Sequence, residues 1–100
     1  MIDVSEEHLA TVRGILGRVV PGCEVRAFGS RVRGVARAYS DLDLAVLMEG
    51  PGTLGRIGML REAFMESDLP FRVDVVDWGR ASEGFRAAVG GGYEVVQARG

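Results

Sequence analysis

The sequence predicts an α/β (α+β) fold, a small mixed β-sheet flanked by helices. Three observations predict it. Segments of helical and strand periodicity alternate along the chain, in the order helix, strand, helix, strand, helix, strand, helix. The run Leu42-Asp43-Leu44-Ala45-Val46-Leu47-Met48 is apolar beyond its first residues, as a strand covered on both faces would be. At 100 residues, 47% of them hydrophobic, the chain suits a single domain spanning 1–100 with a small core.

Residues 5–19 open the series as an amphipathic helix. Ser5 is its candidate N-cap, and Glu6 and Glu7 stand where the helix dipole favours anions. Leu9, Val12, Leu16 and Val19 recur at helical spacing, and Pro21-Gly22 ends the run. Residues 24–28 read as a short strand entering Gly29-Ser30. Residues 31–37 read as a short helix, with Arg33 and Arg37 one turn apart. The strand 42–48 follows, then a turn at Glu49-Gly50-Pro51-Gly52. Thr53 is the candidate cap of a helix reaching about Ser67, with Leu54, Ile57, Leu60 and Phe64 inward. Gly55 and Gly58 each weaken that helix by about 1 kcal/mol relative to alanine. Residues 71–77 form the third strand, and Ser82 caps a helix through Val89. Gly90-Gly91-Gly92 reads as a flexible joint, and 93–97 as an edge strand or a segment packed on a partner. Phe85, Val89, Tyr93, Val95 and Val96 surround that joint as a candidate contact patch, while Trp78 and Phe85 read as core or subunit interface.

Composition removes several classes of function. One cysteine, Cys23, excludes an internal disulfide and a Cys-cluster zinc site; one histidine, His8, excludes a His-based metal site. Any metal ligands are therefore carboxylates, which favours a hard ion such as magnesium. Every basic residue is arginine, so chemistry that needs a P-loop lysine or a Schiff base is absent. A net charge of -2 argues against non-specific nucleic-acid binding. The apolar runs are too short to cross a bilayer, and the acidic start argues against a signal peptide, so the expected location is the cytoplasm.

One segment concentrates the chemistry. A strand delivers Gly29-Ser30 into a helix start, where glycine permits close backbone approach and Ser30 adds a hydroxyl: a candidate phosphate cradle. Arg31 sits beside it, within reach of a bound triphosphate. Asp41 and Asp43 follow. Residues i and i+2 of a strand share a face, so both carboxylates project together and repel unless a cation lies between them. Asp74 stands between core-facing Val73 and Val75 and takes the same outward parity; Asp77 has the opposite parity and ranks below it. A match to G-x-G-x-x-G at Gly50–Gly55 is weak at this glycine content, and 100 residues lack the second half of a dinucleotide fold. The pattern Gly-Ser, ten residues, Asp-x-Asp arises by chance roughly 0.002 times per chain.

Gly29-Ser30, Asp41-Leu42-Asp43 and a lone aspartate on a later strand resemble the minimal nucleotidyltransferases of the polymerase-β-like superfamily, over nearly the whole chain. The resemblance implies ATP as substrate, two Mg2+ ions, and transfer of a nucleoside monophosphate, AMP by expectation, to an acceptor hydroxyl. It makes Gly29 and Ser30 triphosphate binders and Asp41 and Asp43 metal ligands. Asp74 becomes the third metal ligand and the carboxylate that activates the acceptor. It also implies a HEPN-type partner protein, toward which the chain acts as an antitoxin; the acceptor hydroxyl is expected on that separate chain, on a tyrosine. The rival reading is a non-catalytic module that neutralises such a partner by binding it. Transfer to a small molecule fits less well, because relatives with that activity carry an added helical domain.

Overall fold

The computed structural model describes residues 2–100 and contains four helices and four strands in the order expected. Helix α1 spans Glu6–Val19, strand β1 Glu24–Phe28, helix α2 Ser30–Arg33, strand β2 Leu42–Leu47, and helix α3 Thr53–Met65. Strand β3 spans Val73–Asp77, helix α4 Glu83–Gly90 and strand β4 Glu94–Gln97, with a short 3-10 turn at Trp78–Arg80 after β3. The Ser5 and Ser82 hydroxyls accept hydrogen bonds from the His8 and Phe85 amides, so both serines cap their helices as expected.

The sheet order is β3-β2-β1-β4. β1 pairs antiparallel with β2 and with β4, and β2 pairs parallel with β3, so the sheet is mixed. One face is apolar. Val25 and Ala27 of β1, Leu42, Leu44 and Val46 of β2, and Val75 of β3 are buried there with Val12 and Leu16 of α1 and Ile57, Leu60 and Phe64 of α3. Two helices thus lay their apolar stripes across one side of the sheet, which drives the fold. The other side carries Phe28, Asp43 and Asp74 as neighbours on three successive strands.

Several expectations are corrected. The helix at 31–37 stops at Arg33, because Gly34 adopts the left-handed conformation (φ 77°) and turns the chain. Arg33 and Arg37 therefore do not stack on one helix. Thr53 is the first residue of α3 rather than its cap; Gly52 holds that position, with no side-chain bond to the helix. Leu54 faces solvent, because it lies off the Ile57-Leu60-Phe64 stripe. The three glycines are no loose joint. Gly90 ends α4, and the Gly91 and Gly92 amides donate to the carbonyls of Ala87 and Val89. Most of the proposed C-terminal patch is also closed. Val89 and Val96 are buried, Phe85 packs edge-on against Phe28, and β4 adds to the sheet; only Val95 remains exposed.

Candidate active site

The site is built by strand register. Phe28 of β1 lies opposite Asp43 of β2, and Asp43 lies opposite Asp74 of β3. The parallel pairing makes two carboxylates from distant parts of the chain direct neighbours on the open face. Asp41 precedes β2 and is exposed, Leu42 is buried, Asp43 is half-buried and Leu44 is buried. This alternation places Asp41 on the Asp43 side, as the sequence predicts.

β1 ends by bringing Gly29 against Asp43. A Cβ built at Gly29 would collide with the Asp43 carboxylate, and the backbone there has φ 83° and ψ -156°, a region essentially reserved for glycine. The glycine is thus required twice, for the turn and for the close approach. Ser30 follows, half-buried, at the start of α2.

Burial, aggravated by the neighbouring charges of Asp74 and Asp41, pushes the Asp43 carboxyl above the ordinary aspartate value, and Arg33 partly offsets it. Asp43 is thus the carboxyl on which burial and both neighbouring charges act together. Among the described residues, however, no three carboxylate, imidazole or thiolate groups are gathered tightly enough to hold a metal ion by themselves. The expected metal set of Asp41, Asp43 and Asp74 is therefore not a closed cage. Magnesium seldom uses one; it commonly takes one or two carboxylates plus substrate phosphates and water.

Arg31 is corrected. Its side chain is buried rather than directed at a triphosphate. Nη1 donates to the Asp3 carbonyl at 2.7 Å, Nε to Ser40 at 2.9 Å and Nη2 to Ala38 at 3.0 Å, while the guanidinium lies over the Phe71 ring, 4.3 Å from its centroid. The Asp3 amide donates back to the Arg31 carbonyl. Arg31 thus ties the N-terminal segment and the loop after α2 into one unit. That loop leads directly into Asp41. Arg31 resembles a cradle residue only through its chain neighbours, and its bonds to distant carbonyls leave no periodic signal. Arg33 shows the reverse. The sequence pairs it only with Arg37, one turn on, yet its charge reaches Asp43. Asp77, ranked below Asp74, is buried, and its Oδ1 accepts from the Gly79 amide at 3.0 Å. It organises the turn at the far end of β3. Tyr39, which precedes Ser40 and Asp41, is exposed.

The family model for the nucleotidyltransferase domain matches residues 9–94, which contain the whole constellation. The chain belongs to the nucleotidyltransferase domain family. This nucleotidyltransferase is 50% identical over 96 residues to the Haemophilus influenzae protein named "Probable protein adenylyltransferase MntA", covering 96% of this chain and 84% of that one. It matches a solved structure assigned to the minimal nucleotidyltransferases with a TM-score of 0.68 and 35% identity, over 88% of each chain. It also matches a chain of the Shewanella oneidensis complex between a tri-AMPylated HEPN toxin and an MNT antitoxin. That TM-score is 0.57 at 22% identity, covering 93% of this chain and 71% of the other, and the likeness is one of fold.

Proposed function

We propose that this nucleotidyltransferase transfers AMP from ATP to a hydroxyl of a partner protein, and that it thereby acts as the antitoxin of a HEPN-type toxin. The observation that carries the reading is the contiguity of Gly29, Asp43 and Asp74 across three strands, with Asp41 beside them. The relative named as a protein adenylyltransferase supports the acceptor class, and the HEPN–MNT complex supports the partner.

Gly29 and Ser30 bind the triphosphate, the first by leaving room and the second through its hydroxyl. Arg33 offsets charge beside them. The donor set fits magnesium: it is all carboxylate oxygen, and Asp43 is held among like charges that a cation would relieve. Asp41 and Asp43 would hold the ion with the phosphates, and Asp74 would complete a second position. Such an ion supplies charge neutralisation and lowers the pKa of the attacking hydroxyl. The acceptor oxygen bonds to the α-phosphorus as the bond to the pyrophosphate oxygen breaks; pyrophosphate leaves with the electron pair. Asp74 takes the hydroxyl proton. Arg31 serves as a positioning residue for the loop that carries Asp41. The reaction belongs to the cytoplasm, and no helix among the described residues is long and apolar enough to cross a membrane.

The test is co-expression with the product of the adjoining reading frame, followed by intact-mass measurement of that product. Mass increments of AMP are expected, and they should vanish with Asp41→Asn or Asp74→Asn but persist with Asp77→Asn. A stable complex that gains no mass in the presence of ATP and magnesium would establish masking without catalysis instead.

A further inference from the structure

β3 is an outer strand of the sheet, and a groove of about 520 Å3 lies along its free edge. Phe64, Leu69 and Phe71 form its apolar floor, Met65 stands at its rim with 86% of its surface exposed, and Asp74 is part of its wall. Asp74 therefore belongs both to the carboxylate row and to this groove. Arg61 and Arg72 line it too, and both residues are exposed.

Strand order decides what the groove is for. The Gly29-Ser30 turn approaches Asp43 from the β1 side, and Asp74 flanks Asp43 on the β3 side. In-line displacement puts the attacking and leaving oxygens on opposite sides of the α-phosphorus. With pyrophosphate leaving toward Gly29 and Ser30, the attacking hydroxyl arrives from the β3 side, over Asp74. Asp74 is the residue that this approach and the groove share.

Resting on the function proposed above, we infer that the groove beside β3 is the docking site for the acceptor polypeptide. A large apolar side chain near the modified hydroxyl seats on Phe64, Leu69 and Phe71, and an acidic side chain nearby pairs with Arg61 or Arg72. The segment docks through side chains and not as a fifth strand, because the outward carbonyl of Val75 already accepts from Arg61 Nη2 at 2.9 Å. An exposed methionine at the rim suits such a surface, since its flexible thioether adapts to the shape of a partner.

The experiment measures transfer kinetics to the co-expressed acceptor protein with Met65→Glu and Arg72→Glu, whose exposed positions leave folding intact. Leu54→Glu, an exposed apolar site at the other end of α3, is the control. The rim variants should raise the acceptor KM about tenfold each, the effect of one lost contact of about 1.4 kcal/mol. ATP affinity, read by calorimetry, should stay the same, and Leu54→Glu should match wild type. Unchanged KM in both rim variants, or an equal rise in Leu54→Glu, would overturn the groove while leaving the transfer reaction standing. Wild-type protein that transfers to no polypeptide would instead remove the functional reading, and the groove assignment with it.

Discussion

A guanidinium that serves three backbone carbonyls at 3.0 Å or less and lies on an aromatic ring cannot be replaced by a simpler group. Arg31→Ala would remove three bonds from a charged donor that is itself buried, at a cost of about 3 kcal/mol, because such bonds are each worth about 1.5–3 kcal/mol. Arg31→Lys should recover only part of that loss, since an ammonium lacks the planar fork. Urea unfolding measures both. A triphosphate contact would behave differently: stability would hold and ATP affinity alone would fall. At this scale the sequence shows residue types and spacings but not directions. Asp41, Asp43 and Asp74 were legible because strand parity fixes their side. Arg31 was not, because its partners lie up to 28 positions away and are backbone atoms that any residue supplies.

Among the elements, periodicity located almost every helix and strand, and the errors fall where one residue's conformation overrides the pattern. Val35 looks like the inward face of a helix, yet it is exposed, because Gly34 has already ended α2. Strand 71–77 shortens to Val73–Asp77, and the edge strand at the C-terminus forms because β1 offers it a free side. The weakness foreseen in α3 is real and correctable. A Cβ added at Gly58 meets nothing within 4 Å, and the position is exposed within a helix. Gly58→Ala should therefore stabilise the protein by about 0.5–1 kcal/mol, read as a higher unfolding midpoint with an unchanged slope in urea. A loss of stability would mean that α3 needs flexibility at this point.

At the scale of the whole molecule, Asp43 lies with Asp41 and Asp74 on the sheet face opposite the core, and this links stability to pH and to cations. Asp43 keeps its proton to a higher pH in the folded chain than in the unfolded one. Its contribution to stability is therefore greatest in acid and declines as pH rises from the ordinary aspartate value through the raised one. Above that window the ionised carboxylate is a net cost, set by burial and by its two aspartate neighbours. Magnesium with ATP should raise the melting temperature more at about pH 7 than at about pH 4, and Asp43→Asn should melt higher than wild type without ligand. Equal magnesium shifts at both pH values would detach the cation from these carboxylates.

The pairing of Asp43 with Asp74 has a further consequence, in time rather than in space. The antiparallel pair of β1 with β2 joins neighbouring segments, but the parallel pair of β2 with β3 needs the whole crossover through α3 between its strands. During synthesis the chain can complete the Gly29-Ser30 turn and its first two site aspartates long before Asp74 emerges. It gains its full set of carboxylates only when β3 docks beside β2, after three quarters of the chain has been made. A nascent or truncated form ending before β3 would carry the recognisable motif and none of the chemistry. On the function proposed above, a chain still short of β3 could not yet act on its partner.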